Sequence, residues 1–146
     1  MAYRFPLAAV LRLRESIERR EERSLQILQM EIVRASRTLE ELSTAIAGAR
    51  EAQERVMRQP TPAGHLHSVH LECQSAADRK NALLEHLHSL KKRHDEQMQV
   101  YREAHRDREM LSDLHSRNKR AYEVQQTRIQ QKQMDDLFGA RHCRNR

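Results

Sequence analysis

Half of the glycines and prolines of this sequence, three of six, fall in one ten-residue stretch. From Leu7 to Gln59 the only one is Gly48; "QPTPAGHLHS", Gln59 to Ser68, then holds two prolines and a glycine; from His65 to Phe138 there is neither, and Gly139 follows. These residues are the strongest interrupters of a helix, so their distribution reads as helix, turn, helix, tail. We expect an all-α chain folded as a long antiparallel two-helix coiled-coil hairpin. It would be a single domain, with helix one over about residues 6–59, the turn at about 60–67, helix two over about 68–138 and a basic tail at 139–146. Pro6 suits a first helical turn, where its missing donor has no partner. Thr61 before Pro62 has the form of an N-cap followed by proline, and Ser68 is a second candidate cap.

Composition supports long helices over a globular core. Aromatic residues make up only 3% of the chain, tryptophan is absent and 33% of residues are charged. Glu, Arg, Gln, Leu and Ala dominate, and straight side chains lose little rotamer freedom in a helix. No run approaches the roughly 18 to 20 apolar residues of a membrane span, and the start lacks the apolar stretch of a secretion signal. These features predict a soluble intracellular protein. Cys73 and Cys143 could form one bridge at most, so no disulfide framework is expected.

Helices of about 53 and at least 70 residues, roughly 80 and 105 Å at 1.5 Å per residue, need a continuous partner. Heptads supply one. Leu25, Leu28, Ile32, Ala35, Leu39, Leu42, Ile46, Ala49, Gln53 and Val56 step alternately by three and four. Leu66, Val69, Cys73, Ala76, Lys80, Leu83, Leu87, Leu90, His94, Gln97, Tyr101, Ala104, Arg108 and Leu111 do the same, with more polar interruptions. A short turn then makes residues whose numbers add to about 124 neighbours across the pair. This register sets Leu42 near Leu83, Leu39 near Leu87, Ile32 near Leu90, and Val10 and Leu13 near Leu114 and Leu111.

The same register places "ERREER", residues 18–23, opposite "YREAHR", residues 101–106. Both helices are expected to abandon apolar packing at this level. The apolar step from Ile17 to Leu25 is eight residues, which predicts a slip of phase there. Past about Lys119 helix two outruns its partner, leaving Tyr122, Ile129, Met134, Leu137 and Phe138 on an overhang. The net charge of +6 gathers toward the terminal half of the hairpin.

Several functions are disfavoured. Basic residues alternate with acidic ones, so a nucleic-acid backbone would meet repulsion at each turn. No Gly-rich phosphate loop is present, and a thin hairpin offers no pocket for a catalytic set. Nine histidines all follow Gly64. His67, His70 and Cys73 are spaced three apart on one helical face, yet no closed set of four ligands is expected to converge. His86 and His88 point to different faces, and His94 is read as a seam or flanking residue. No enzyme, metal or cofactor is anticipated.

Two stretches carry a resemblance. "FPLAAVLRLRESIE", with Phe5, Leu7, Val10, Leu11, Arg14 and Glu18, resembles the N-terminus of FliJ proteins of the bacterial flagellar type III export apparatus. "QQKQMDDLF", with Lys132, Asp135, Asp136 and Leu137, is similar to the C-terminal helix of that family, with Asp136 where a Glu is usual. The resemblance implies a non-enzymatic, stalk-like antiparallel coiled coil. Its implied partners are a hexameric export ATPase (FliI-like), an export gate protein (FlhA-like) and export chaperones. It would be cytoplasmic, associated with the inner membrane only through those partners. Leu7, Leu11, Arg14, Ile129, Lys132 and Leu137 are the candidate partner-binding residues. A stalk protein of the related injectisomes and a generic coiled-coil scaffold are the alternatives.

Overall fold

The computed structural model describes residues 3–60 and 62–144. Among them are two helices and no strand: α1 (Ala8–Met57) and α2 (Ala63–Arg144), packed against each other as a hairpin. The entry to α1 is the turn at Pro6 and Leu7, where the Ala8 N–H donates to the Phe5 carbonyl at 3.2 Å and the Leu11 N–H to that of Leu7 at 2.9 Å. α1 ends in two tightened i→i+3 bonds, from the Arg58 N–H to the Arg55 carbonyl and from the Gln59 N–H to the Val56 carbonyl. Such bonds satisfy carbonyls that the next turn would otherwise have used.

α2 begins five residues before Ser68. The Pro62 carbonyl accepts the first bonds of the helix, from the N–H groups of His65 at 3.0 Å and Leu66 at 3.4 Å. Ser68 is therefore not a cap: it lies inside the helix, and its hydroxyl donates back to the His65 carbonyl at 2.9 Å. The expected cap Thr61 lies outside the described residues. At the other end α2 runs through Gly139 to Arg144, where the sequence predicts a tail. No described glycine has a positive φ, and one helical glycine costs only about 1 kcal/mol relative to alanine.

The chain divides into two compact units. Glu21–Tyr101 contains the hairpin turn. Its core is Ala35, Leu87 and Leu90, with Leu28, Ile32, Leu39 and Leu83 packed against them; Leu90 is 1% exposed. This cluster contains both members of the expected pairs Leu39 with Leu87 and Ile32 with Leu90. Polar groups at seam positions find partners here as well: the Cys73 thiol lies 3.6 Å from Gln53 Oε1, and the Gln97 amide donates to Glu21 Oε2 at 2.7 Å.

The other unit comprises Met1–Arg20 and Arg102–Arg146. Its packing centres on Phe5, which is 9% exposed, and Ala104, which is 7% exposed. Of the predicted seam residues in both helices, Ala49 alone is exposed; the rest are buried or half-buried. Val10, Leu13 and Leu114 are exposed, so they do not close the seam as the register suggested. Their side chains face solvent.

The division between the two units falls at the level where the sequence predicts a slip of apolar phase. Leu28, Leu25 and Glu21 on one side of it, and Glu18, Arg14, Leu11 and Leu7 on the other, follow the alternating spacing, and all but Leu7 are half-buried. The half-buried positions change from largely apolar in the first group to largely charged in the second. An apolar-only reading misses this, because Glu and Arg occupy seam positions that leucine holds elsewhere.

Candidate functional site

The six candidate residues belong to the unit that carries both ends of the described chain, and the structure separates them into two sets. Leu11 and Arg14 share one face of α1, and Leu7, in the turn that enters it, precedes Leu11 by four residues. Leu7 is 36% exposed and Leu11 half-buried. The Arg14 guanidinium donates to Asp107 at 2.8 Å, so its charge is already met within the chain. Ile129, Lys132 and Leu137 lie on α2 beyond Tyr122, by about 10, 15 and 22 Å at the helical rise. All three are exposed. The candidates therefore form a paired region and an extension, and not one continuous patch.

An aromatic cluster marks the boundary between the two sets. Phe5 packs on the His115 ring with centroids 4.7 Å apart. Tyr3 lies between His115 at 5.8 Å and Tyr122 at 5.4 Å. These tilted contacts are ordinary favourable geometry for rings. They fasten the segment before α1 onto α2, so the overhang predicted from Lys119 begins about one turn later. From Thr127 to Ala140 every side chain is exposed, including Ile129 at 42%, Met134 at 55%, Leu137 at 60% and Phe138 at 63%.

Below the cluster lies a polar clamp. Glu18 is only 14% exposed, and its carboxylate accepts from Arg108 Nε at 2.8 Å and Nη2 at 3.1 Å. His105 Nδ1 is 2.6 Å from Glu18 Oε1, which assigns the proton on that nitrogen to a donated bond. The two-pronged guanidinium contact holds the Glu18 carboxyl below the usual carboxylate range; burial pushes it up, and the His105 bond pulls it down again. Bidentate charge-assisted pairs of this kind are strong and directional.

Sequence reasoning did not pick out this clamp or the role of Tyr3 and His115. The signal was present in the register: Glu18 with His105 and Arg108, Arg14 with Asp107, and Tyr3 with Tyr122 all add to near 124. Complementary chemistry at matched levels would have revealed them.

The histidines do not gather. His65, His67, His70, His86 and His88 are exposed, and His94 occupies a half-buried seam position. Among the described residues no three His, Cys, Asp or Glu side chains come together as a metal ion would require. The surface depressions are open grooves between or along the helices, such as the one lined by Leu25, Met30, Met98 and Tyr101. No described helix is long and apolar enough to cross a membrane.

In comparison with known proteins, a family model described as "Flagellar FliJ protein" matches residues 3–146. No curated protein and no solved structure matches the chain.

Proposed function

Because the chain belongs to the FliJ family, and so is a component of the flagellar export apparatus, we propose that it is the stalk-like subunit engaging a hexameric export ATPase. In this reading it also contacts the export gate protein and export chaperones, and it reaches the membrane only through them, from the cytoplasmic side. The family consists of structural components of the apparatus, and the role assigned here is mechanical and regulatory, not enzymatic.

The observation that carries the reading is the extension of α2. Fourteen residues of α2, Thr127 to Ala140, are all exposed, with apolar side chains too widely spaced for a seam and Arg128 and Lys132 among them. A helix presented without its own partner suits insertion into, or docking against, a larger assembly. Mixed charge and scattered apolar groups favour reversible contact, since electrostatic complementarity steers docking without requiring a large apolar patch. Leu7 and Leu11 lie on the paired part of the same unit, where the ring of an ATPase would meet two helices instead of one.

ATP hydrolysis by the cognate export ATPase, with and without this protein, tests the proposal. We expect stimulation or assembly by the full chain, reduced by removal of residues from Gln125 onward and by Lys132→Glu, and weakened at high salt. Arg14→Glu would also break the pair with Asp107, so its effect is read only alongside its melting temperature. Unchanged stimulation by the truncated chain would refute the assignment to the extension. Absence of any ATPase interaction would favour a scaffold role, and preference for an injectisome ATPase would favour a virulence-system stalk.

A further inference from the structure

The face of α2 beside the seam carries a second heptad stripe. Glu103, Asp107, Met110, Leu114, Arg117 and Ala121 step alternately by four and three. The first four each precede a residue that faces α1 or the aromatic cluster, namely Ala104, Arg108, Leu111 and His115, so the stripe lies about 100° around the helix from the seam. It points outward: Met110 is 59% exposed, Leu114 40%, and the Asp107 carboxylate 40% even with Arg14 bound to it.

The order of chemistry along this stripe is nearly self-complementary. Acidic residues come first, two large apolar residues occupy the middle, and a basic residue follows. A second copy turned end for end about a point between Met110 and Leu114 brings Met110 over Leu114 twice, Asp107 over Arg117 twice, and Glu103 over Ala121 beside Arg120. A parallel copy would instead set Asp107 against Asp107 and Arg117 against Arg117. A carboxylate has lone pairs to spare, so Asp107 can keep Arg14 and accept a second guanidinium.

We propose that this stripe is an antiparallel self-association surface, with a two-fold axis near residue 112 of α2, whose occupant is a second copy of the same chain. A two-fold contact uses one patch on both partners and closes on itself, which is what a stripe of reversed symmetry provides. The overlap is about 28 Å at the helical rise, short for a coiled coil. The dimer is therefore weak and reversible, in the size range of transient contacts. It goes beyond the ATPase reading, which uses neither Met110, Leu114 nor Arg117.

Sedimentation equilibrium of the full chain over a wide concentration range gives the first test, with a monomer and dimer equilibrium expected. Arg117→Glu should raise the dissociation constant at least about tenfold, because it places like charges opposite each other at both ends. Both that position and Leu114 are exposed, and circular dichroism should show helix content unchanged in Arg117→Glu and Leu114→Gln. Orientation is read by disulfide formation in chains with Cys73 and Cys143 replaced by serine. A mixture of Met110→Cys and Leu114→Cys chains should yield the mixed disulfide in preference to either symmetric one. A chain that stays monomeric throughout, a dimer indifferent to Arg117→Glu, or preferential symmetric disulfides would each overturn the proposal.

Discussion

Glu18 of α1 holds Arg108 of α2 through both carboxylate oxygens, at 2.8 and 3.1 Å, at a level where the sequence shows six consecutive charged residues. The charged stretch is thus part of the helix pairing. Glu18→Gln should destabilise the protein by about 1–2 kcal/mol, the usual range for a hydrogen bond to a charged group that is partly screened. The double replacement Glu18→Leu with Arg108→Leu should be close to neutral, since an apolar pair at seam positions replaces a desolvated ionic one. Urea melts of the two variants beside the native chain would establish this, and a large loss in the double variant would show that the ionic pair is not interchangeable with leucine.

The same carboxyl makes stability depend on pH. Its value is depressed in the folded chain, so its contribution is fully present above the unfolded range of about 4.3. It is lost as pH falls through the lower folded value. The difference in melting temperature between the native chain and Glu18→Gln should hold constant from neutrality down to about pH 5 and shrink below about pH 4. A difference that grows on acidification would have the wrong sign for this account.

Leu90 is the best-buried side chain of the turn-bearing unit, at 1% exposure. Leu90→Ala should cost about 2–4 kcal/mol through lost burial and the cavity left between the helices. Leu84, 42% exposed on the same helix, should change stability by less than about 0.5 kcal/mol on the same substitution. Comparable losses at both positions would contradict the face assignment.

Phe5 fastens the segment before α1 to His115. Phe5→Ala should cost about 2–4 kcal/mol if its ring is as buried as its 9% exposure indicates. Hydrogen exchange should then quicken at the Ala8 amide, whose bond to the Phe5 carbonyl begins the helix entry. Unaltered exchange there would mean that the ring does not anchor the entry.

Sequence alone was enough for two long helices paired as a hairpin, although α2 begins earlier and runs further than the sequence predicts. Glycine and proline mark where a helix can stop, and a seven-residue repeat can be buried only against a partner in register; Leu39 with Leu87 and Ile32 with Leu90 follow from that constraint. The six candidate residues could be placed on their helices but not with respect to each other. Only the structure decided what the polar seam positions do. Glu18 at a seam position has the same spacing whether it is solvated or clamped between His105 and Arg108, because periodicity fixes a face and leaves the rotamer and partner open. Val10 and Leu13 show the converse: they are apolar, yet exposed, because the seam on this part of α1 runs through Leu11, Arg14 and Glu18. Tyr3 and Phe5 precede the helix and carry no periodic signal at all, so their docking on His115 and Tyr122 follows from the close approach of two segments more than a hundred residues apart in the chain.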